Sequence, residues 1–243
     1  MSANDSISPL QNQSPLVNRI LAALPEAEYR ELASHLELVE LPRGRVLYEP
    51  GDRIQTVYFP NSAMVSLVAR LETGGSVEIG VVGREGMVGL PVVWGGQYAS
   101  SQAIVQIPGA GYRLPDTVLK NTFDRGGTLQ RLLLLYTQAL FAYVSQTAAC
   151  NRQHRLEERL ARWLLIVHDI TDSDCLPLTQ EFLAEMLGTG RSTVTTAAGI
   201  LQQSGGIRYS RGKIVIADRS QLERTVCECY GRIKAEFARL LKV

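Results

Sequence analysis

The sequence predicts an α+β chain: an all-β sandwich or barrel, then a long helix, then a small helical unit closed by a β-hairpin. Three observations carry that prediction. Between Arg43 and Leu114, short β-rich runs alternate with glycine and proline turns. From Thr128 the pattern turns helical and stays so for about 40 residues. Further on, two amphipathic segments meet at Gly188-Thr189-Gly190, and two strand-like runs follow around Gly212.

Taken in order, residues 1–14 are polar and are expected to form a disordered tail. Leu16 to Leu36 has a helical pattern, with Pro25 opening a second short helix. The β region contains "VLYE", "TVYF", "AMVSLVAR", "SVEIGVV", "SQAIVQI" and "GYRL", with Gly51-Asp52 and Gly74-Gly75 as expected hairpin turns. Residues 15–125 are therefore expected to form one β-rich domain, 126–150 a linking helix and 151–243 a C-terminal domain. In the linking helix Leu133, Tyr136, Leu140, Tyr143, Thr147, Cys150 and His154 repeat at alternating steps of three and four residues. That spacing makes a heptad seam, and the expectation is that Leu133, Tyr136, Leu140, Tyr143 and Thr147 meet a second copy of the chain. A helix packed on its own β domain is the competing expectation. The next helix carries Leu156, Leu160, Trp163, Leu164 and Val167 on one face. Arg219 to Leu241 is expected to be a single helix.

The totals restrict the function classes. The 243 residues are 45% hydrophobic and 20% charged, with net charge +1, and no apolar run nears the ~18 residues of a membrane span. A cytoplasmic protein without a signal pattern is expected. There is no phosphate-binding glycine loop, no nucleophile–base constellation and only three scattered histidines, so an enzyme is not expected. The four cysteines are Cys150, Cys175, Cys227 and Cys229. Cys150 and His154 stand one helical turn apart, but both fall on the seam. Cys227 and Cys229, at helical spacing, would face different ways. Neither metal nor cofactor is expected.

The charge is unevenly placed. Residues 1–150 carry 11 basic and 13 acidic side chains, whereas 151–243 carry 14 basic and 11 acidic ones. From Met186 to Ala217 there are four basic residues (Arg191, Arg208, Arg211 and Lys213) and no acidic residue. A polyanion is the partner that such a surface suits. In "TQEFLAEMLGTGRSTVTTAAGIL", Thr179 can cap a first helix, and Leu183, Ala184 and Leu187 face inward. Gly188 takes the left-handed turn, and a second helix from Arg191 turns Val194, Ala197, Ala198 and Leu201 inward. Arg191, Ser192, Thr193, Thr195 and Thr196, with Thr179 and Gln180 at the start of the first helix, form the expected DNA-contacting face. Short hydroxyl side chains allow close approach, and an arginine can grip guanine with two hydrogen bonds. The run "IRYSRGKIVI" adds a wing carrying Arg208, Arg211 and Lys213.

These segments, together with "RGRVLYEPGDRIQTVYF" and "EERLARWLL", resemble the Crp/Fnr superfamily of bacterial transcription regulators over nearly the whole chain. The resemblance implies an N-terminal cyclic-nucleotide-binding-like β-roll, a long dimerisation helix and a C-terminal winged helix-turn-helix. In the nucleotide sensors of that family, a Gly-Glu pair holds the ribose and an Arg-Ser-Ala triplet holds the cyclic phosphate. Here Gly89 is followed by Leu90, and Ala99-Ser100-Ser101 replaces the triplet. Leucine accepts no ribose hydrogen bond and alanine pairs no phosphate, so the pocket is degenerate and cyclic AMP is not the expected effector. Arg84 and Glu85 nearby have the right types in the wrong order. The stretch around Trp94 and Tyr98 is expected to hold an apolar small molecule or nothing. An iron–sulfur cluster held by N-terminal cysteines is excluded, because no cysteine precedes Cys150. Where the family's recognition helix often has glutamate and a later arginine, this chain has Ser192 and Thr196, which implies a different half-site. The expected partners are palindromic double-stranded DNA and a second copy, with RNA polymerase and an unknown small-molecule effector as further candidates. The rival expectation is a sensing module that acts through protein contacts and keeps a vestigial DNA-binding domain.

Overall fold

The computed structural model describes residues 14–72, 74–210 and 212–241; residues 1–13 of the expected tail, and Arg211, expected on the wing, lie outside the described residues. After a 3-10 turn at Pro15–Val17, α1 (Arg19–Ala22) and α2 (Glu26–Ala33) break at Pro25 as its fixed φ requires. The Asn18 side chain caps α1 and also donates to the carbonyls of Pro60 and Gly86, which pins the N-terminal helices to the β domain.

Among the described residues of the β domain, seven strands form two antiparallel sheets. They are β1 (Glu37–Leu41), β2 (Val46–Tyr48), β3 (Thr56–Pro60), β4 (Met64–Arg70), β5 (Ser76–Val82), β6 (Gln102–Ile107) and β7 (Gly109–Pro115). One sheet has the order β1-β7-β3 and the other β2-β6-β4-β5. Strand β1 is an addition to the sequence reading: its five residues, Glu-Leu-Val-Glu-Leu, lack a strict alternation of polar and apolar positions, and pairing with β7 decides their state. Gly74-Gly75 closes the β4–β5 hairpin as expected. Gly51-Asp52 does not close one, because β2 and β3 belong to different sheets and the turn carries the chain between them. A short helix, α3 (Pro91–Trp94), lies between β5 and β6.

Helix α4 (Asp116–Asp124) leads into α5 (Thr128–Gln153), a 26-residue helix along the β domain. Here the seam expectation is corrected. Leu133, Tyr136, Leu140, Tyr143 and Thr147 are all buried within the chain. Leu133, Tyr136 and Leu140 belong to the β-domain core, and Tyr143 to the core shared with the C-terminal domain. Tyr136 fills its own domain so fully that a Cβ on Gly86 would collide with its hydroxyl. Arg162 donates to the Thr147 hydroxyl at 3.0 Å. The face that remains exposed is Leu134, Gln138, Phe141, Ser145, Ala148 and Arg152, which repeats at the same alternating steps.

Helix α6 (Leu156–Thr171) then opens the C-terminal domain, with Glu158 in a capping box. A third small sheet, ordered β8-β10-β9, joins β8 (Cys175–Leu176) to the wing strands β9 (Ile207–Ser210) and β10 (Lys213–Ile216). Helices α7 (Gln180–Met186) and α8 (Arg191–Gln203) stand between them. The expected final helix is two: α9 (Arg219–Thr225) and α10 (Cys229–Leu241), broken by an extended Val226. Helix α10 returns along α5, where Phe237 meets Tyr136 edge to face at 6.4 Å between ring centres.

A buried polar bridge crosses between the domains. Trp163 of α6 donates its indole N–H to Glu78 of β5 at 2.7 Å, and Ser66 of β4 donates to the same carboxylate at 2.5 Å. Burial pushes the Glu78 carboxyl up to about 7, against those hydrogen bonds and the nearby Arg162.

Candidate nucleic-acid interface and effector cavity

The helix-turn-helix folds as its local signals dictate. The Thr179 hydroxyl accepts from the Phe182 amide at 3.2 Å and caps α7. Leu183, Ala184, Leu187, Val194, Ala197, Ala198 and Leu201 are buried together. Gly188 turns at φ +60, a left-handed conformation that costs an L side chain energy and glycine very little. Thr189 N–H closes the turn on the Ala184 carbonyl at 2.9 Å.

With that face buried, Arg191, Ser192, Thr193, Thr195 and Thr196 are exposed along one side of α8. Thr195 Oγ1 donates to Gln180 Oε1 at 3.0 Å, which ties the start of α7 to α8 and brings Gln180 to the same surface. Thr196 Oγ1 donates to the Ser192 carbonyl at 3.2 Å. No side chain caps α8, whose N-cap is Gly190, so its first amides are open to an acceptor such as a phosphate. Arg208 and Lys213 are exposed on β9 and β10. Among the described residues, Arg191, Arg208 and Lys213 have no carboxylate in ion-pair contact. A surface of unpaired cations, hydroxyls and open amides, with no acid between Met186 and Ala217, is built to meet a polyanion.

The second site lies in the β domain. Gly89, Leu90, Ala99, Ser100 and Ser101, separate in sequence, together line one cavity of about 240 Å³. Helix α5 closes it with Thr137, Leu140, Phe141 and Val144, and Trp94 stands at its edge with its indole N–H on the Thr137 hydroxyl at 3.1 Å. Leu140 therefore faces this cavity and not a second chain. Among the described residues no charged side chain lines it. Arg84 and Glu85 lie elsewhere: Arg84 reaches the Asp169 carbonyl of α6, and Glu85 accepts from the Gly83 amide. Tyr98, expected at the pocket, is 62% exposed and is not part of its lining. The α5 contribution was missed in the sequence because the spacing of Thr137, Phe141 and Val144 is also that of a solvent-facing stripe.

Comparison with known proteins identifies both domains. The family model described as "Cyclic nucleotide-binding domain" matches residues 38–125, and that described as "Crp-like helix-turn-helix domain" matches residues 158–225. The chain belongs to the Crp/Fnr superfamily. Like other Crp/Fnr regulators, it is a DNA-binding transcription regulator. It is 25% identical over 203 residues to the global nitrogen regulator of Synechococcus elongatus, covering 77% of this chain and 90% of that one. It is 27% identical over 224 residues to the global nitrogen regulator of a Synechocystis species, covering 84% and 95%. The crystal structure of a Crp/Fnr-family regulator from Eubacterium rectale superimposes with a TM-score of 0.66 at 19% identity, covering 85% of this chain and 96% of that one, a likeness of fold. A Crp/Fnr chain thus has its DNA-binding half in the C-terminal wing and helix pair, and its cavity in the β-roll.

Proposed function

We propose that this regulator binds a palindromic operator as a homodimer and that its effector, where one acts, is an uncharged apolar molecule and not cyclic AMP. The observation that carries the DNA reading is the acid-free exposed face of α8, with Arg191 at its first turn. Arg191 reads a base edge in the major groove, while Ser192, Thr193, Thr195 and Thr196 let the helix approach closely. Thr179 and Gln180 at the start of α7, and Arg208 and Lys213 on the wing, hold phosphates. The second copy packs on the exposed α5 stripe. Leu134 and Phe141, 52% and 72% exposed, are seven residues apart there, the spacing at which two helices interlock. RNA polymerase contact is a further expectation of the family reading.

The cavity supports the effector reading. Its lining offers neither a cation for a phosphate nor a carboxylate for a ribose, and removing a cyclic phosphate from water without a partner is costly. Selecting genomic fragments with the purified protein would give the operator. On that operator Arg191→Ala should cost about 1–3 kcal/mol and relax preference at one base pair. Arg208→Ala should weaken all duplexes alike and reduce the salt slope by about one unit per subunit. If Arg191→Ala weakened every sequence equally, base reading would belong to other side chains of α8. Titration calorimetry with cyclic AMP should show no binding in the micromolar range; micromolar binding would overturn the apolar-effector reading.

A further inference from the structure

The break between α9 and α10 has a chemical consequence. Cys150 and His154 lie one turn apart at the end of α5, and His154 is its C-cap. Because Val226 is extended, Cys227 sits in a loop and Cys229 opens α10, and both turn toward that end of α5. Cys150, Cys227 and Cys229 form a small buried cluster of their own, separate from the two main cores. The ligand atoms of Cys150, His154, Cys227 and Cys229 all lie within 4.8 Å of one another.

These separations suit one tetrahedral ion. With metal–sulfur bonds near 2.3 Å and a metal–nitrogen bond near 2.0–2.1 Å, the edges of the tetrahedron are roughly 3.8 Å between sulfurs and roughly 3.6 Å between sulfur and nitrogen. Cys150 Sγ stands 3.6 Å from Cys227 Sγ, and Cys229 Sγ stands 3.5 Å from His154 Nδ1. A two-iron cluster would need ligands on opposite irons to stand further apart.

The surroundings carry the same signature. His154 presents Nδ1 to the sulfurs while its Nε2 lies 3.2 Å from a Glu228 carboxylate oxygen. A carboxylate on the far nitrogen is the partner that orients a metal-bound imidazole. The Gln146 amide donates to Cys229 Sγ at 3.0 Å, the kind of outer hydrogen bond that holds a metal-bound sulfur in place. Arg162, only 3% exposed, lies beside Cys150 and Cys227, and its Nε has no hydrogen-bond partner among the described residues. Three thiolates around a divalent ion carry a net charge of −1, which a neighbouring buried guanidinium offsets. Plain packing of cysteines explains none of these three features.

We propose that Cys150, His154, Cys227 and Cys229 bind one structural zinc ion in a closed Cys3His site. Thiolate-rich tetrahedral donors select zinc, and four protein ligands leave no position for a substrate. The ion ties the start of α10 to the α5–α6 junction, where the β domain hands over to the DNA-binding domain. This inference does not depend on the operator or on the effector.

The test is the metal content of the full chain, purified under reducing conditions without chelator. Elemental analysis should find one zinc per chain. Exchange into cobalt(II) should produce the visible d–d bands of a tetrahedral site and near-ultraviolet thiolate charge-transfer bands. Zinc should bind the apo-protein with a dissociation constant of about 10⁻⁸ M or tighter. Cys229→Ser and His154→Ala should each lose the stoichiometric metal, while Cys175→Ser, which alters an exposed thiol outside the cluster, should keep it. Because the ligand variants could fail to fold, the decisive reading is on the unaltered protein. A chain that is folded, free of metal and unable to take up zinc or cobalt would overturn the proposal. So would a Cys150–Cys227 disulfide that persists under those reducing conditions, detected by mass spectrometry after alkylation.

Discussion

The two faces of α5 share a spacing but differ in environment. The inward stripe, Leu133, Tyr136, Leu140 and Tyr143, is buried in the chain's own cores, while the outward stripe, Leu134, Gln138, Phe141 and Ser145, faces solvent. Both repeat at steps of three and four, because any single face of a helix with 3.6 residues per turn recurs at those steps. The inward one holds the protomer together, and its Leu140 lines the β-domain cavity, whose edge Phe141 of the outward stripe also lines. The outward one is the face proposed to meet a second copy. Spacing alone says that a stripe will be used; what it meets depends on which side the β domain occupies.

The largest effect that would break this contrast is on the inward face. Tyr136→Ala should cost about 3–5 kcal/mol of unfolding free energy, since it empties a fully buried ring site. Denaturant melts would show it, and a loss under 1 kcal/mol would mean that the ring is not packed as described.

The next effect comes from Glu78, where the inward side of α5 meets β5 and α6. Its carboxyl binds a proton more tightly in the folded chain than in the unfolded one, shifting from the ordinary value of 4.5 to about 7. Folding therefore takes up a proton between those two values. The stabilisation is complete below about pH 4.5 and is lost as pH rises through about 7, by at most about 3 kcal/mol. Glu78→Gln should remove this contribution. Chemical melts from pH 5 to 8 on both proteins would test it, and identical slopes would sink it.

The smallest effect on protomer stability should come from the outward face. Phe141→Glu should change it by less than ~0.5 kcal/mol, yet sedimentation equilibrium should show monomers where the unaltered chain should be dimeric. A variant that remained dimeric would move the interface away from this stripe. The contrast with Tyr136→Ala is the point of the pair: one changes folding and leaves a surface, the other changes assembly and leaves a fold.

Legibility followed locality. The helix-turn-helix was readable because its signals lie within 23 residues: a capping threonine, a left-handed glycine and two buried stripes that leave the hydroxyl face outside. The cavity was half readable. Gly89-Leu90 and Ala99-Ser100-Ser101 were found, but Thr137, Phe141 and Val144 come from another element and carry no mark in the sequence. Strand β1 escaped because five residues beside a helical stretch have no preference strong enough to announce a strand. The cysteines were misjudged for one reason: a continuous helix through Arg219–Leu241 would have pointed Cys227 and Cys229 apart, and the extended Val226 removes that helix.

By itself the sequence determined the order of β-rich region, long helix, helix pair and wing, and the uncharged side chains of Leu90 and Ala99. Each of these rests on periodicity, capping or side-chain chemistry within a short window. Only the tertiary structure decided which face of α5 is inside, that Leu140 closes the cavity, and that Cys150, His154, Cys227 and Cys229 share one small volume. Those outcomes depend on where elements distant in sequence come to rest against one another, and packing, which no local pattern encodes, sets that.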